Sequence, residues 1–285
     1  MSEWVIDGSE GLDLFGQTDP PSGAVEARAV AIIVHGFKGY MDYGMFPSIA
    51  RRLSNEGVIA HRFNLAHSGM TRNTATFERP ELFALDTWRH QVEDVMSVVR
   101  AVRAGTLDGS GLPLALIGHS RGGVTSLLTA GRYADELREL KAVVTINAPD
   151  NCCSMTEAQK DQLLEEGSIE SPSARTGQAL TIDKRWLQDQ LDHPQEHDLP
   201  LQVSRIRSRV MVIHGDSDQT VSPVCAMAIS SALARTTEPI LVPGGDHVLN
   251  TPNPWPPEGL PPPQLGEALD WLASFLREIG PSEGR

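Results

Sequence analysis

Short runs of β-branched and other apolar residues recur along this chain, separated by stretches whose apolar positions repeat at helical spacing. Val30-Ala31-Ile32-Ile33-Val34, Leu114-Ala115-Leu116-Ile117, Ala142-Val143-Val144-Thr145-Ile146 and Val210-Met211-Val212-Ile213 are apolar on both faces. That is the pattern of strands buried on two sides. Val58 to Phe63 and Pro239-Ile240-Leu241-Val242 extend the series. Between the strands, Trp88, Val92, Val95, Val99 and Val102 fall on one helical face, with Asp86 available as its N-cap. Leu265, Leu269, Leu272, Leu276 and Ile279 mark a C-terminal helix that Gly280-Pro281 would stop. The first two dozen residues read as a hairpin: Trp4-Val5-Ile6, a turn at Asp7-Gly8, then Leu12 to Phe15. Strands alternating with helices predict an α/β fold, with a mostly parallel central sheet and helices on both faces.

One stretch departs from the alternation. From Pro149 to Ser208 no strand pattern is visible, and a structureless loop of that length does not fit a compact domain. Ser154-Met155-Thr156-Glu157 has the spacing of a capping box ahead of Leu163 and Leu164. A second helical piece runs through Arg185, Trp186, Leu187 and Leu191. The expectation is a helical cap, residues 149–208, inserted into a core built from residues 1–148 and 209–285. The proline-rich run from Pro252 to Pro263 predicts an irregular, stiff connection.

Composition narrows the function classes. The 285 residues are 40% hydrophobic and 21% charged, a globular balance. Lys and Arg number 24 against 37 Asp and Glu, a net charge of −13. Non-specific nucleic-acid binding, which needs cations to displace counterions from phosphates, is therefore not expected. No apolar run approaches the ~20 residues of a membrane span. Met1-Ser2-Glu3-Trp4 lacks the basic-then-apolar pattern of a signal peptide, so a cytoplasmic location is expected. Three cysteines cannot build a disulfide framework and none has metal-ligand spacing, so no metal and no cofactor are expected.

Four loops carry candidate chemistry, each directly after a strand. Gly118-His119-Ser120-Arg121-Gly122-Gly123 contains Gly-x-Ser-x-Gly between a strand and a helical run. This is the context of a nucleophile elbow, where glycines permit a turn too tight for side chains and the serine hydroxyl is exposed. His35-Gly36-Phe37 follows the first core strand. Its Phe37 N–H, with that of Arg121, would form a two-donor oxyanion hole. A serine hydroxyl needs a base, and the base an orienting carboxylate. Asp218 lies in His214-Gly215-Asp216-Ser217-Asp218, and His247 in Gly244-Gly245-Asp246-His247. Asp216 and Asp150 compete with Asp218 for the acid, and Asp246 suits a turn role. His67 follows a strand and competes more weakly with His247. His35, His119 and His214 suit supporting roles in their loops, His193 and His197 a solvated position, and Cys225 a core one. The Arg121 side chain pairs with a carboxylate, either of the protein or of a substrate. Trp186 serves either as cap core or as an aromatic wall.

By these residues the chain resembles the α/β-hydrolase superfamily, from about residue 28 to 278 without the cap. Within it, His-Gly-Phe, Gly-His-Ser-Arg-Gly and His-Gly-Asp-x-Asp-x-x-Val are similar to bacterial carboxylesterases of the cinnamoyl/feruloyl-esterase and dienelactone-hydrolase-like branch. The resemblance implies Ser120 as nucleophile, His247 as base, Asp218 as orienting acid, and Phe37 and Arg121 as oxyanion donors. The order Ser120, Asp218, His247 is that of the family's triad. The chain departs from the branch at Asn64-Leu65-Ala66-His67-Ser68-Gly69, where a first glycine is missing, and in having serine where dienelactone hydrolases have cysteine. The implied function is cleavage of a small carboxylic ester of short or aromatic acyl groups through an acyl-enzyme. A thioesterase or acyl-peptide hydrolase on the same triad, or a non-catalytic ligand-binding protein, are the alternatives. Haloalkane dehalogenation would need a carboxylate at position 120.

Overall fold

The computed structural model describes residues 1–23, 25–255 and 259–279. Ten strands and ten α-helices follow one another among them. The order is β1 (Ser2–Asp7), β2 (Asp13–Asp19), β3 (Ala29–Val34), α1 (Phe46–Asn55), β4 (Val58–Phe63), α2 (Pro80–Ala84) and α3 (Trp88–Arg103). There follow β5 (Leu114–His119), α4 (Arg121–Arg132), β6 (Leu140–Ile146), α5 (Glu157–Glu166), β7 (Ser168–Glu170), β8 (Thr181–Asp183) and α6 (Arg185–Asp192). The chain then runs through α7 (Pro194–His197), α8 (Leu199–Arg205), β9 (Arg209–Gly215), α9 (Val224–Ala232), β10 (Ile240–Val242) and α10 (Pro263–Arg277).

Eight strands form one sheet in the order β1-β2-β4-β3-β5-β6-β9-β10. The N-terminal hairpin pairs antiparallel and adds antiparallel to β4, with Gly16 opposite Phe63 and Asp19 opposite Ala60. The strands from β4 to β10 are parallel. Each central strand buries both faces, and alternate residues serve different layers. Val30, Ile32 and Val34 pack with Leu114, Leu116 and the apolar faces of α3 and α4. Ala29, Ala31 and Ile33 pack with Ala115, Ile117 and the faces of α1 and α10. The α/β-hydrolase architecture expected from the alternation is thus present, with helices on both faces. Strand order reverses between β3 and β5, which lie side by side. The loops leaving their C-terminal ends carry Phe37 and Ser120, at the position where sites form in such sheets.

Local signals shift by a residue or two from their sequence reading. Thr87, not Asp86, caps α3: its extended backbone lets Oγ1 accept the His90 N–H at 3.3 Å. Asp86 instead accepts from Gln91 Nε2 at 2.5 Å. The capping box of α5 is Thr156 with Gln159, because the helix begins at Glu157 rather than after Ser154. Between β6 and β9 the chain carries α5 to α8 together with a small antiparallel pair, β7 with β8. Strands of three residues are too short to leave a periodic trace, which is why none was expected there. The proline-rich run, of which residues 256–258 lie outside the described residues, precedes α10, which starts on Pro263, where a missing N–H costs nothing. Gly280-Pro281, the expected stop of this helix, lies outside the described residues. Among the described residues no helix is long and apolar enough to cross a membrane.

Candidate active site

The turn after β5 is built by what it excludes. Ser120 adopts φ 53°, ψ −125°, a conformation that side chains rarely take, and it projects between β5 and α4. A side chain at position 122 would place Cβ 2.2 Å from the Val34 carbonyl oxygen and 2.5 Å from that of His35. One at position 118 would strike the Gly122 carbonyl at 2.1 Å. The two glycines therefore allow the elbow to lie against the end of β3. The Ser120 N–H donates to the Ile146 carbonyl at 2.9 Å, which ties the turn to the neighbouring strand.

His247 Nε2 lies 3.1 Å from Ser120 Oγ, and its Nδ1 lies 2.8 Å from Asp218 Oδ2. The Asp218 side chain is sealed from solvent, while that of His247 keeps 20% of its surface. Asp218 Oδ1 accepts the N–H groups of Thr220 at 2.8 Å and Val221 at 2.9 Å. Burial alone would push this carboxyl up. Hydrogen bonds from His214, His247 and the Val221 N–H outweigh it and hold the group well below the usual carboxylate range.

The rival acids have other partners. Asp216 Oδ1 accepts from Ser217 Oγ and the Gly244 N–H. Asp246 Oδ1 accepts the N–H groups of Val248 and Asn250, and Asp150 lies against Cys225 and Asn151. His67 sits elsewhere. It stacks on His90 at 3.9 Å, with Nδ1 against Ser9 Oγ and Nε2 against Glu10. Two further expectations need correction. His197 is buried rather than solvated, its Nδ1 donating to the His193 carbonyl and its Nε2 facing Asp189. Cys225 is only half-buried rather than core, because the start of α9 lies beside Asp150.

A buried frame that the sequence reading did not identify holds the histidine loop. Asn147, at φ 51° just after β6, is fully buried. Its Oδ1 accepts the Gly215 N–H at 2.8 Å, while Nδ2 donates to the carbonyls of Asp246 at 2.9 Å and His247 at 2.7 Å. One side chain thus joins the ends of β6 and β9 to the loop after β10. His119 Nε2 donates to the same His247 carbonyl at 2.7 Å. Burial, then the charge of His247, drives its pKa down to about 3, so it is a neutral donor. The one signal in the sequence was a polar residue tolerant of positive φ at the end of a buried strand. His35 is likewise neutral, pushed down to about 4 by burial. It donates from Nδ1 to the Gly36 carbonyl at 2.8 Å and accepts the Leu65 N–H on Nε2 at 3.2 Å. The loop bearing Phe37 is fixed from both sides.

A family model described as the alpha/beta hydrolase family matches residues 31–254. The chain belongs to the alpha/beta hydrolase family. No curated protein matches it. Among solved structures it is similar to Est1E from Butyrivibrio proteoclasticus with ferulic acid bound, at 19% identity and TM-score 0.70, covering 97% of this chain and 98% of that one. It is also similar to mouse alpha/beta hydrolase domain-containing protein 10, at 15% identity and TM-score 0.71, over 98% and 100% of the two chains. A dienelactone hydrolase from Anabaena variabilis superposes at 13% identity and TM-score 0.63, over 98% and 99%. At these identities the likeness is one of fold.

The remaining expected residues of this hydrolase flank the serine. Gly36 approaches so closely that a Cβ there would lie 3.0 Å from that of Ser120. The N–H groups of Phe37 and Arg121 have no acceptor among the described residues. Trp186 of α6 is buried beside Trp88, their ring centres 6.4 Å apart, and the Arg121 guanidinium lies against both.

Proposed function

We propose that this family member is a serine esterase. The observation that carries the reading is Ser120 Oγ, raised on a positive-φ turn, 3.1 Å from His247 Nε2, which is itself 2.8 Å from a buried Asp218. In this reading Ser120 Oγ attacks the ester carbonyl carbon as His247 Nε2 takes its proton. The carbonyl oxygen becomes an oxyanion against the unpartnered N–H groups of Phe37 and Arg121, and Arg121 stands at the positive N-terminal end of α4. His247 gives the proton to the departing alkoxide, leaving an acyl-Ser120. Water, deprotonated by His247, repeats the attack and releases the acid. Asp218 holds the imidazole with Nδ1 protonated and compensates its charge once it is doubly protonated. Residues 149–208 act as a cap that limits the acyl group to short or aromatic chains, since Trp186 reaches from that segment to the residue following the nucleophile.

The test is steady-state hydrolysis of p-nitrophenyl acetate, butyrate and octanoate by the wild type and Ser120→Ala, with fluorophosphonate labelling alongside. Turnover and labelling that both vanish in Ser120→Ala are expected. Esterase activity persisting in that variant would sink the assignment, and faster turnover of octanoate than of butyrate would reverse the acyl-length reading.

A further inference from the structure

The residue that follows Ser120 brings a cation into the site, and its side chain has no hydrogen-bond partner among the described residues. Arg121 Cζ stands 4.0 Å from the centre of the Phe37 ring, 4.9 Å from that of Trp186 and 5.7 Å from that of Trp88. Three aromatic rings thus cluster around the guanidinium. None of its five N–H donors reaches an acceptor among the described residues, and the residue is half-buried. Asp86, the acid whose charge it feels, acts through space without a hydrogen bond. Asp86 spends Oδ2 on Gln91, and its Oδ1 is buried without a partner. Burial raises that carboxyl to about 7, so it is only partly charged at neutral pH and compensates Arg121 incompletely. Arg121 itself is drawn down to about 10, mainly by burial, and stays protonated. A second cation adjoins: Lys38 Nζ lies 5.0 Å from the Phe37 ring centre and, among the described residues, donates only to the Pro172 carbonyl, at 2.8 Å. Two cations without an acidic hydrogen-bond partner among the described residues flank the proposed oxyanion donor, in a chain of net charge −13.

A guanidinium stacked on aromatic rings loses hydration from its faces while its N–H edge remains available. That edge matches a planar acceptor with two oxygens. We propose that Arg121 binds a carboxylate of the substrate, so that the preferred substrates are esters carrying a free carboxylate near the scissile bond. The inference rests on Ser120 being the nucleophile.

Two ester pairs test it and show which side carries the anion. The p-nitrophenyl hemiester of glutaric acid against p-nitrophenyl pentanoate places the carboxylate in the acyl group. Para-carboxyphenyl butyrate against phenyl butyrate places it in the alcohol. Each rate is divided by that for hydroxide, to remove intrinsic reactivity. In the wild type the carboxylate ester is expected to exceed its neutral partner in kcat/KM by about tenfold or more in one pair. Arg121→Met is expected to bring that ratio to about one, with Arg121→Lys keeping part of it. The wild-type ratios stand as a test even if the Met variant does not fold. Ratios at or below one in both pairs, with turnover dependent on Ser120, would overturn carboxylate recognition and leave the serine esterase intact. No Ser120-dependent turnover of any of these esters, together with no fluorophosphonate label on Ser120, would overturn both.

Discussion

Asn147→Gly is the perturbation that most directly probes how the histidine is held. Glycine accepts φ 51° without strain, so the variant removes the side chain's bonds and little else. Three hydrogen bonds disappear, at about 1 kcal/mol each. The Gly215 N–H loses its acceptor in a buried place, which costs about 1–3 kcal/mol if water does not enter. The His247 carbonyl keeps its second donor, His119, and so adds little. The sum is a loss of about 3–5 kcal/mol, to which the greater freedom of glycine in the unfolded chain adds up to about 1 kcal/mol. At about 2 °C per kcal/mol for a chain of 285 residues, Tm should fall by about 6–12 °C. Activity should fall beyond the loss of folded protein, by roughly tenfold to a hundredfold in kcat, because the His247 loop is no longer registered on β6 and β9. The assay pairs thermal unfolding with p-nitrophenyl butyrate hydrolysis at a temperature where both proteins are folded. A Tm within about 2 °C of wild type would refute the energetic reasoning. A large fall in Tm with kcat unchanged would show that Asn147 braces the fold without positioning His247.

Three further outcomes follow from particular residues. Gly122→Ala forces a Cβ within 2.2 Å of backbone at the end of β3, and should cost more than about 3 kcal/mol, read as a Tm fall or loss of soluble protein; a fully stable variant would show that the elbow can move. Asp218→Asn can still accept from the Thr220 and Val221 N–H groups but presents an amide to His247 Nδ1. It should stay folded at neutral pH and lose about three to four orders of magnitude in kcat; a smaller loss than about tenfold would remove the orienting role. His35 is neutral in the folded protein down to about pH 4, whereas in the unfolded chain it takes up a proton near 6.5. Its contribution is therefore fully present above about pH 6.5 and is lost as pH falls toward 4, by roughly 3 kcal/mol in all. Urea midpoints of the wild type should drop across that window more steeply than those of His35→Asn, which retains a donor for the Gly36 carbonyl; parallel curves would contradict the assignment.

What could be read from the sequence was local. A strand leading into Gly-x-Ser-x-Gly and then a helix states its own backbone requirement within ten residues, and the strand-end loops bearing Phe37, Asp218 and His247 were each marked by the apolar run before them. The helical faces of α3 and α10 were legible because a 3.6-residue period survives without knowledge of the partner surface. Caps were misplaced by one or two residues because several adjacent polar residues could serve, and backbone dihedrals decide among them. The pair β7 and β8 was invisible because three residues carry no period.

What only the tertiary structure decided is long-range. Which of Asp150, Asp216 and Asp218 faces His247 depends on the register of β6, β9 and β10, and each aspartate reads alike in a one-dimensional chain. Asn147 bonds residues 68 to 100 positions away, so its function exists only once three parallel strand ends lie side by side. The surroundings of Arg121 combine a ring from the loop after β3, one from α3 and one from the segment between β6 and β9. The sequence by itself determined an α/β chain with a serine on a tight strand-to-helix turn, because hydrophobic period and turn chemistry are properties of neighbouring residues. The partners of its buried polar groups were decided by folding, because a hydrogen bond inside a core is set by distance in space and leaves no trace in spacing along the chain.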